Sequence, residues 1–279
     1  MTEGRPTPPR VLTIAGSDSG GGAGLQADLR AMFACGVHGM TAITAVTVQN
    51  SLGVEGYTVI PPDVVAAQIR AVATDIGVNA AKTGMLANAE IITAIADACQ
   101  SVHIGRDGSA PFVVDPVAAS MHGDPLMHEN ALDALRTKLF PLATVVTPNL
   151  DEVRLLTGID VTSYAEQREA ARALHAFGPQ WTLVKGGHMR DDPRCVDLLY
   201  DGSEFTELAG PRYDTKHTHG GGDTMASAIS SALARGSSVP DAVAFGKRFV
   251  TRSVAHSYPL GAGVGPVSPL WRLDGPLDD

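Results

Sequence analysis

The sequence predicts an α/β fold, a three-layer sandwich with a mostly parallel central sheet flanked by helices. Three observations lead there. Short apolar, β-branched runs alternate with stretches of helical periodicity through most of the 279 residues. Glycine, proline, asparagine or aspartate follows nearly every short run, as at the carboxyl ends of parallel strands. Only late in the chain do three strand-like runs follow one another without a helix, which predicts an antiparallel edge.

In chain order, Val11 to Ala15 reads as the first strand, ending at Gly16, and GLQADLRAMFACG, residues 24–36, as the helix behind it. Thr41 to Val48 and Gly56 to Val59 are β-branched runs, and Asp63 to Val72, behind Pro61-Pro62, is helical. Ala80 to Thr83 is a strand before Gly84, Asn88 to Cys99 a helix, Phe112 to Asp115 a buried strand and Asn130 to Phe140 a helix. Val145 to Thr147 is a strand, followed by helices over Leu150 to Thr157 and Ala165 to Phe177. The runs Thr182 to Lys185, Val196 to Tyr200 and Glu204 to Ala209 form the expected antiparallel edge. Helices from Asp223 to Ala234 and from Asp241 to His256 close the fold. One domain over 11–270 is expected, between a disordered tail at 1–10 and a second tail at 271–279. No fixed-period repeat or linker divides it.

Composition narrows the function. With 21 Lys+Arg against 30 Asp+Glu the net charge is −9, and no dense basic run exists to neutralise a phosphate backbone, so nucleic acid is not the expected partner. No apolar run is long enough to span a membrane, and the polar, Pro-rich start from Met1 to Pro9 predicts a cytoplasmic protein. The 3 cysteines, Cys35, Cys99 and Cys195, lie far apart in no CxxC spacing, which fits a reducing compartment and argues against zinc. His217 and His219, two apart with no obvious third ligand, add nothing to a metal reading. The 30 glycines are the unusual feature, because glycine serves where backbone must approach a ligand closely.

The glycines cluster in front of helices. In THGGGDTMASAISSALARG, residues 218–236, the N–H groups of Gly220, Gly221 and Gly222 can point at one oxyanion, aided by the helix dipole. Asp223 beside them would accept or orient the proton of an attacking hydroxyl, though Asp is also an ordinary helix N-cap. VLTIAGSDSGGGAGLQAD, residues 11–28, is a second such loop; it is neither a Walker A motif nor a strict GxGxxG, since Leu25 stands at the last glycine position. Asp28 falls far enough into the helix to point back at a ligand over that loop, or to be a solvated helix residue. Gly246-Lys247 is followed by Arg248 inside a helix, so it is not a P-loop either.

Carboxylates follow two neighbouring strands, in Asp115-Pro116-Val117 and in Thr147-Pro148-Asn149-Leu150-Asp151-Glu152. Such a pair can hold Mg²⁺ through water near nucleotide phosphates, and helix capping explains each singly. LVKGGH, residues 183–188, sets Lys185 and two glycines at another strand end, suited to a phosphate. No GxSxG elbow supports serine hydrolase chemistry. Gln49 and Met85 lie on the same expected rim, where a Met is ordinarily core.

In this order, AGSDSGGGAGLQADL, AVTVQNS, KTGMLA, DPV with HGDPLM, TPNLDE, VKGGH, DTKHTHGGGDT and GVGPV resemble the hydroxymethylpyrimidine/phosphomethylpyrimidine kinases of thiamine synthesis, members of the ribokinase-like superfamily. The resemblance runs from Val11 to Val267. It implies a homodimer that uses ATP and Mg²⁺ to phosphorylate the pyrimidine's hydroxyl and then the resulting phosphate. It implies that Gly16, Ala23, Asp28, Gln49, Met85 and Val117 surround the aminopyrimidine, with Gln49 hydrogen bonding to it. Asp115 and Glu152 would serve Mg²⁺ and water, Asn149 and Lys185 the triphosphate, and the stem of Lys247 the nucleotide base. Gly220, Gly221 and Gly222 would form the anion hole.

Two departures bear on mechanism. The family's His-Gly-Thr-Gly-Cys is here His219-Gly220-Gly221-Gly222-Asp223, which supplies the carboxylate base of the wider superfamily. An ionised Asp223 favours a hydroxyl acceptor and repels a phosphate monoester. Near Met121, where the family commonly carries Lys, this chain offers His122. A pyridoxal or pyridoxine kinase, acting on a single hydroxyl of a similar-sized ring, is the alternative; a binding protein that has lost transfer is the reading from another class.

Overall fold

The computed structural model describes residues 6–118, 127–187 and 194–273. Among the described residues nine strands form one sheet: β1 (Arg10–Ser17), β2 (His38–Asn50), β3 (Gly53–Val59), β4 (Ala80–Thr83), β5 (Phe112–Val114), β6 (Val145–Val146), β7 (Trp181–Val184), β8 (Arg194–Tyr200) and β9 (Phe205–Pro211). Their order is β3-β2-β1-β4-β5-β6-β7-β8-β9, and β2-β1-β4-β5-β6-β7 is parallel throughout. The late strands β8 and β9 are antiparallel, as expected. So is β3, which makes a hairpin with β2 that the sequence pattern did not announce.

The helices are α1 (Gly24–Ala34), α2 (Pro62–Asp75), α3 (Ala89–Ser101), α4 (Glu129–Ala134), α5 (Leu150–Thr157), α6 (Tyr164–His175), α7 (Gly221–Ala234) and α8 (Val239–Ala255). Strand side chains alternate between two faces, and that alternation divides the core. Leu12, Ile14, Ala81, Phe112, Val114, Val146 and Val184 pack with α2 to α6. Their neighbours Ala80, Val113, Val145 and Leu183 pack with α7 and α8, while Val11 meets Met32 of α1. Three layers follow from strands that are apolar on both faces.

Two local expectations differ. The helix expected over Asn130 to Phe140 is α4, then a π-helical turn over Leu135–Leu139, then a 3-10 turn over Phe140–Leu142. Pro141 lacks an N–H and crowds the preceding turn, so the α-helical ladder cannot run through it. The tails are shorter than expected. Arg10 already belongs to β1, donating to Asn79 Oδ1 and the Ile76 carbonyl. At the other end Trp271 packs against Phe249 with ring centroids 5.5 Å apart and donates to Ser253 Oγ at 3.1 Å.

Because β1 has β2 on one side and β4 on the other, the sheet's topological switch lies between β1 and β4, the place where sheets of this kind form a crevice above the carboxyl ends. Gly16, Gly84, Asp115, Thr147 and Lys185 each sit at or just past such an end. Trp271→Ala tests whether the C-terminal segment belongs to the core. It is expected to lower unfolding free energy by roughly 2 kcal/mol, below the fully buried range because the ring is half-buried, as read by urea denaturation.

Candidate active site

The β1–α1 loop is organised by a buried residue, Asp18. Its Oδ1 accepts the Gly20 N–H at 2.8 Å, and its Oδ2 accepts those of Gly22 at 2.9 Å and Ala23 at 2.8 Å. Burial pushes its carboxyl up, but hydrogen bonds from His219 and from the Ala23 and Gly20 amides prevail and hold it below the usual range. His219 Nε2 lies 3.3 Å from Asp18 Oδ2 and 3.3 Å from Gln49 Nε2, so one ring joins this loop, the β2 end and the loop before α7. Backbones touch beside it. Gly220, with φ of 73°, is set so close to Gly22 that a Cβ there would overlap the Gly22 carbonyl oxygen.

Gly220 is the N-cap of α7, which therefore begins two residues earlier than expected. Asp223 is inside the first turn and makes no cap bond. Its Oδ2 accepts the Gly24 N–H at 3.2 Å, and its Oδ1 lies 3.4 Å from Lys82 Nζ. With its side chain 15% exposed, the carboxylate still reaches the crevice. The capping explanation of Asp223 therefore fails, and the base reading keeps its geometry. The three-glycine anion hole is narrower than expected: the Gly221 N–H donates to the Thr218 carbonyl at 3.1 Å, so it closes a turn instead of facing a ligand.

Gly222 borders the next cluster; a Cβ on it would come 3.3 Å from both Asp115 Oδ2 and Lys185 Nζ. Asp115, at the end of β5, accepts from Thr147 Oγ1 at 2.9 Å and from Lys185 Nζ at 2.9 Å. Asn149 caps α5 with its side-chain oxygen, and Glu152 returns a bond to the Asn149 N–H at 2.8 Å. Capping thus accounts for these two side chains, yet both remain beside the cation, since Asn149 also bridges Lys185 through the backbone. Burial pushes Glu152 up to about 7, with the Lys185 ammonium pulling it down and Asp115 pushing it up. Burial disfavours charge on Lys185 as well, but Asp115 and then Glu152 outweigh it and raise its value.

No group of three or more His, Cys, Asp or Glu among the described residues converges on one point. A closed protein cage for a cation is absent there, whereas two carboxylates beside Lys185 at neighbouring strand ends suit Mg²⁺, which retains waters and shares phosphate oxygens. The residues present fit that ion. Lys247 is placed differently from expectation: it is buried, donating to Asp197 Oδ2 at 2.9 Å and Cys195 Sγ at 3.3 Å. Its ammonium holds β8, and Asp197 Oδ1 in turn accepts the Gly186 N–H at 2.9 Å, fixing the loop after Lys185.

On the β1–β4 side, a Cβ on Gly16 would meet Met85 Sδ at 3.4 Å, so these two line one wall. Gln49 stands at the hairpin end and Ala23 caps α1. Val117 has a φ of 44°, a left-handed conformation that a β-branched residue adopts only under constraint, and such outliers gather at functional sites. Asp28 does not face the crevice. It is fully buried, accepting from Thr13 Oγ1 at 2.6 Å, Lys82 Nζ at 2.8 Å and Ser227 Oγ at 2.7 Å. Helix α1 turns that side chain into the protein, so Asp28 supports Lys82 instead of touching a ligand. Met121, His122 and His188 lie outside the described residues.

A family profile described as phosphomethylpyrimidine kinase matches residues 18–268, nearly the whole chain. The chain belongs to that family. It is 62% identical over 270 residues to a hydroxymethylpyrimidine/phosphomethylpyrimidine kinase of Mycobacterium leprae, covering 95% of each chain. Among solved structures, Bacillus subtilis pyridoxal kinase in an ADP complex superposes with a TM-score of 0.86 at 37% identity, over 95% of this chain and 99% of that one. A phosphomethylpyrimidine kinase of Clostridium difficile gives 0.76 at 36% identity, over 88% and 99%. The fold is ribokinase-like and the protein is a small-molecule kinase.

Sequence reasoning assigned this kinase no role for Lys82, Asp18 or Asp197. A lone Lys in the apolar β4 run signals a buried, paired cation, and Asp18 in a glycine loop signals an Asx turn; neither names its partner.

Glu152 gives a pH test. Because its value lies above the ordinary 4.5, the folded chain binds the extra proton between about 4.5 and about 7, and stability falls as pH rises through that window. Glu152→Gln keeps the capping bond and removes the titration. It is expected to flatten this part of the stability curve of the ligand-free protein, measured by urea unfolding at constant ionic strength.

Proposed function

We propose that the chain, acting as a cytoplasmic homodimer, transfers the γ-phosphoryl group of ATP to the hydroxyl of 4-amino-5-hydroxymethyl-2-methylpyrimidine and then to the monophosphate so formed. The observation that carries this reading is Asp223, held by the Gly24 amide and Lys82 at the mouth of the crevice, beside a helix N-terminus and a second cation, Lys185. The shared name of the curated relatives supplies the acceptor.

The residues divide the work. Asp223 accepts the hydroxyl proton as the oxygen attacks. The start of α7 offers amides and dipole to charge on the transferred group, and Lys185 faces the phosphate chain from β7. Gln49 and Met85 orient the ring, Gln49 by hydrogen bonds and Met85 by apolar contact. Mg²⁺, when bound with the nucleotide, supplies neutralisation across the phosphate oxygens, and Asp115 and Glu152 are the residues to hold it through water. Lys247 acts from behind, through Asp197 and the Gly186 amide.

Asp223→Asn preserves size and removes the base. It is expected to lower turnover by roughly two to four orders of magnitude with the fold intact, and normal turnover would remove Asp223 from the mechanism. Incubation with ATP, Mg²⁺ and the pyrimidine, with pyridoxal in parallel, followed by mass spectrometry, tests the acceptor. A pyrimidine diphosphate is the expected product. The likeness to pyridoxal kinase and the carboxylate base favour a second reading, which a tenfold or greater preference for pyridoxal would put in first place.

The homodimer has support in the hairpin. Val46, Val48, Leu52, Val54 and Tyr57 of β2, β3 and their turn are all exposed, Leu52 at 72%. The register sets Tyr57 opposite Thr47, on the face away from Val46 and Val48, so exposed apolar groups lie on both faces of this edge hairpin, and such groups on a sheet edge mark a contact surface. Leu52→Asp with Val54→Asp is expected to shift the protein to monomer in analytical ultracentrifugation; an unchanged dimer would place the interface elsewhere.

A further inference from the structure

The ammonium of Lys82 is fully buried, and two carboxylates of different kinds reach it. Asp28 approaches at 2.8 Å from α1 and is itself sealed. Asp223 approaches at 3.4 Å from α7 and is open to the crevice. Thr13 and Ser227 complete the Asp28 shell, and Ser227 lies one turn beyond Asp223 on the same helix. A Cβ on Gly84 would stand 3.4 Å from Lys82 Nζ and 3.6 Å from Asp223 Oδ1, so the glycine after β4 keeps this contact open.

We propose that Lys82 is a positioning residue for phosphoryl transfer, and that its ammonium, divided between Asp28 and Asp223, sets how readily the site accepts an acceptor that already carries a phosphate. The inference rests on the reading of Asp223 as the base. A neutral alcohol requires only that Asp223 be ionised and aimed. A phosphate monoester brings two negative charges toward the same carboxylate, and the repulsion depends on how much of that carboxylate's charge a neighbouring cation cancels. Lys82 is in contact with Asp223 and carries its charge despite burial, because Asp28, then Asp223 and Asp115, outweigh the desolvation. Asp28 competes for the ammonium: burial raises its carboxyl to about 6, Lys82 draws it down and Asp223 pushes it up. Lys185 and Asp115, at the neighbouring strand ends, also act on this field, but they are paired with each other at 2.9 Å.

Two substitutions move the balance in opposite directions. Asp28→Asn keeps the shape and, with its oxygen still accepting from Ser227 and its amide now donating to Thr13 Oγ1, both contacts, while removing the charge that competes with Asp223 for the ammonium. Lys82→Met removes the cation at similar volume, and Lys82→Met with Asp28→Asn does so without leaving Asp28 charged and unpaired. The readout is kcat/KM for the monophosphate divided by kcat/KM for the alcohol, at fixed ionic strength. The ratio is expected to rise several-fold in Asp28→Asn and to fall on the order of tenfold in Lys82→Met or, should that variant not fold, in the double variant. Equal losses on both acceptors would reduce Lys82 to a structural ion and overturn the proposal. Asp223→Asn, assayed in parallel, separates this from a failed reading of the base: normal turnover there removes the reading on which the proposal rests, whereas lost turnover there with an unmoved ratio in the Lys82 and Asp28 variants overturns the proposal itself.

Discussion

The close approach of two glycine loops, Gly22 against Gly220, is the constraint on which the site depends. It brings His219 to Asp18 and the α1 N-terminus to Asp223, two contacts that join the first strand of the chain to its seventh helix. Neither residue can carry a side chain there: the Gly22 Cβ position falls on the His219 ring, and that of Gly220 on a carbonyl oxygen. Below this contact, Asp28 receives Ser227 and Lys82, so α7 is fixed at its start by backbone packing and along its first turns by buried charge. A buried ion is tolerated only with partners in good geometry, and removal of one partner leaves the other stranded. The arrangement therefore gives α7 one position relative to β1 and β4, and Asp223 inherits that precision.

Charge at the rim is unbalanced by design of the sheet. Asp28, Asp115, Glu152 and Asp223 face Lys82 and Lys185, so carboxylates outnumber ammoniums among the residues that act on one another there. The raised values of Asp28 and Glu152 follow from burial together with this excess. A nucleotide would add more negative charge to this edge, and a cation bound with it would offset that charge. Parallel strands make such crowding possible, because every β-strand from β2 to β7 in the parallel run ends on the same side and delivers its next residue to one edge.

How much of this was legible in the sequence depended on range. Helix α5 was read with its boundaries, since Asn149 and Glu152 form a capping box within four residues of each other. The strand ends were legible because apolar runs stop abruptly at Gly16, Thr83 and Asp115. Asp223 was placed at the glycine loop on this rim, although α7 starts before it and its partners are elsewhere. What could not be read was pairing across distance. Lys82 lies 54 residues from Asp28 and 141 from Asp223, and nothing periodic connects them. For the same reason Asp28 looked like a ligand contact: helical periodicity fixes a face, but only the tertiary fold decides whether that face meets solvent or Lys82. Lys247, with an apolar stem suited to a base, is likewise claimed by Asp197, a residue of the antiparallel edge that no motif pointed to.

An apolar groove of about 460 Å³ lies away from this rim. It is lined by Leu29, Phe33, Val37, Leu270 and their neighbours, and it includes His38 and Gly39 at the start of β2. That is the amino end of the sheet, opposite the rim that collects Gly16, Asp115 and Lys185. The groove offers mainly apolar contact area, whereas the ion pairs Lys82–Asp223 and Lys185–Asp115 and the start of α7 gather at the switch point. A site for phosphoryl transfer needs fixed donors and charged side chains aimed where charge develops. Strand direction locates such a site, because it is the carboxyl ends that leave backbone and charged side chains free to meet one another.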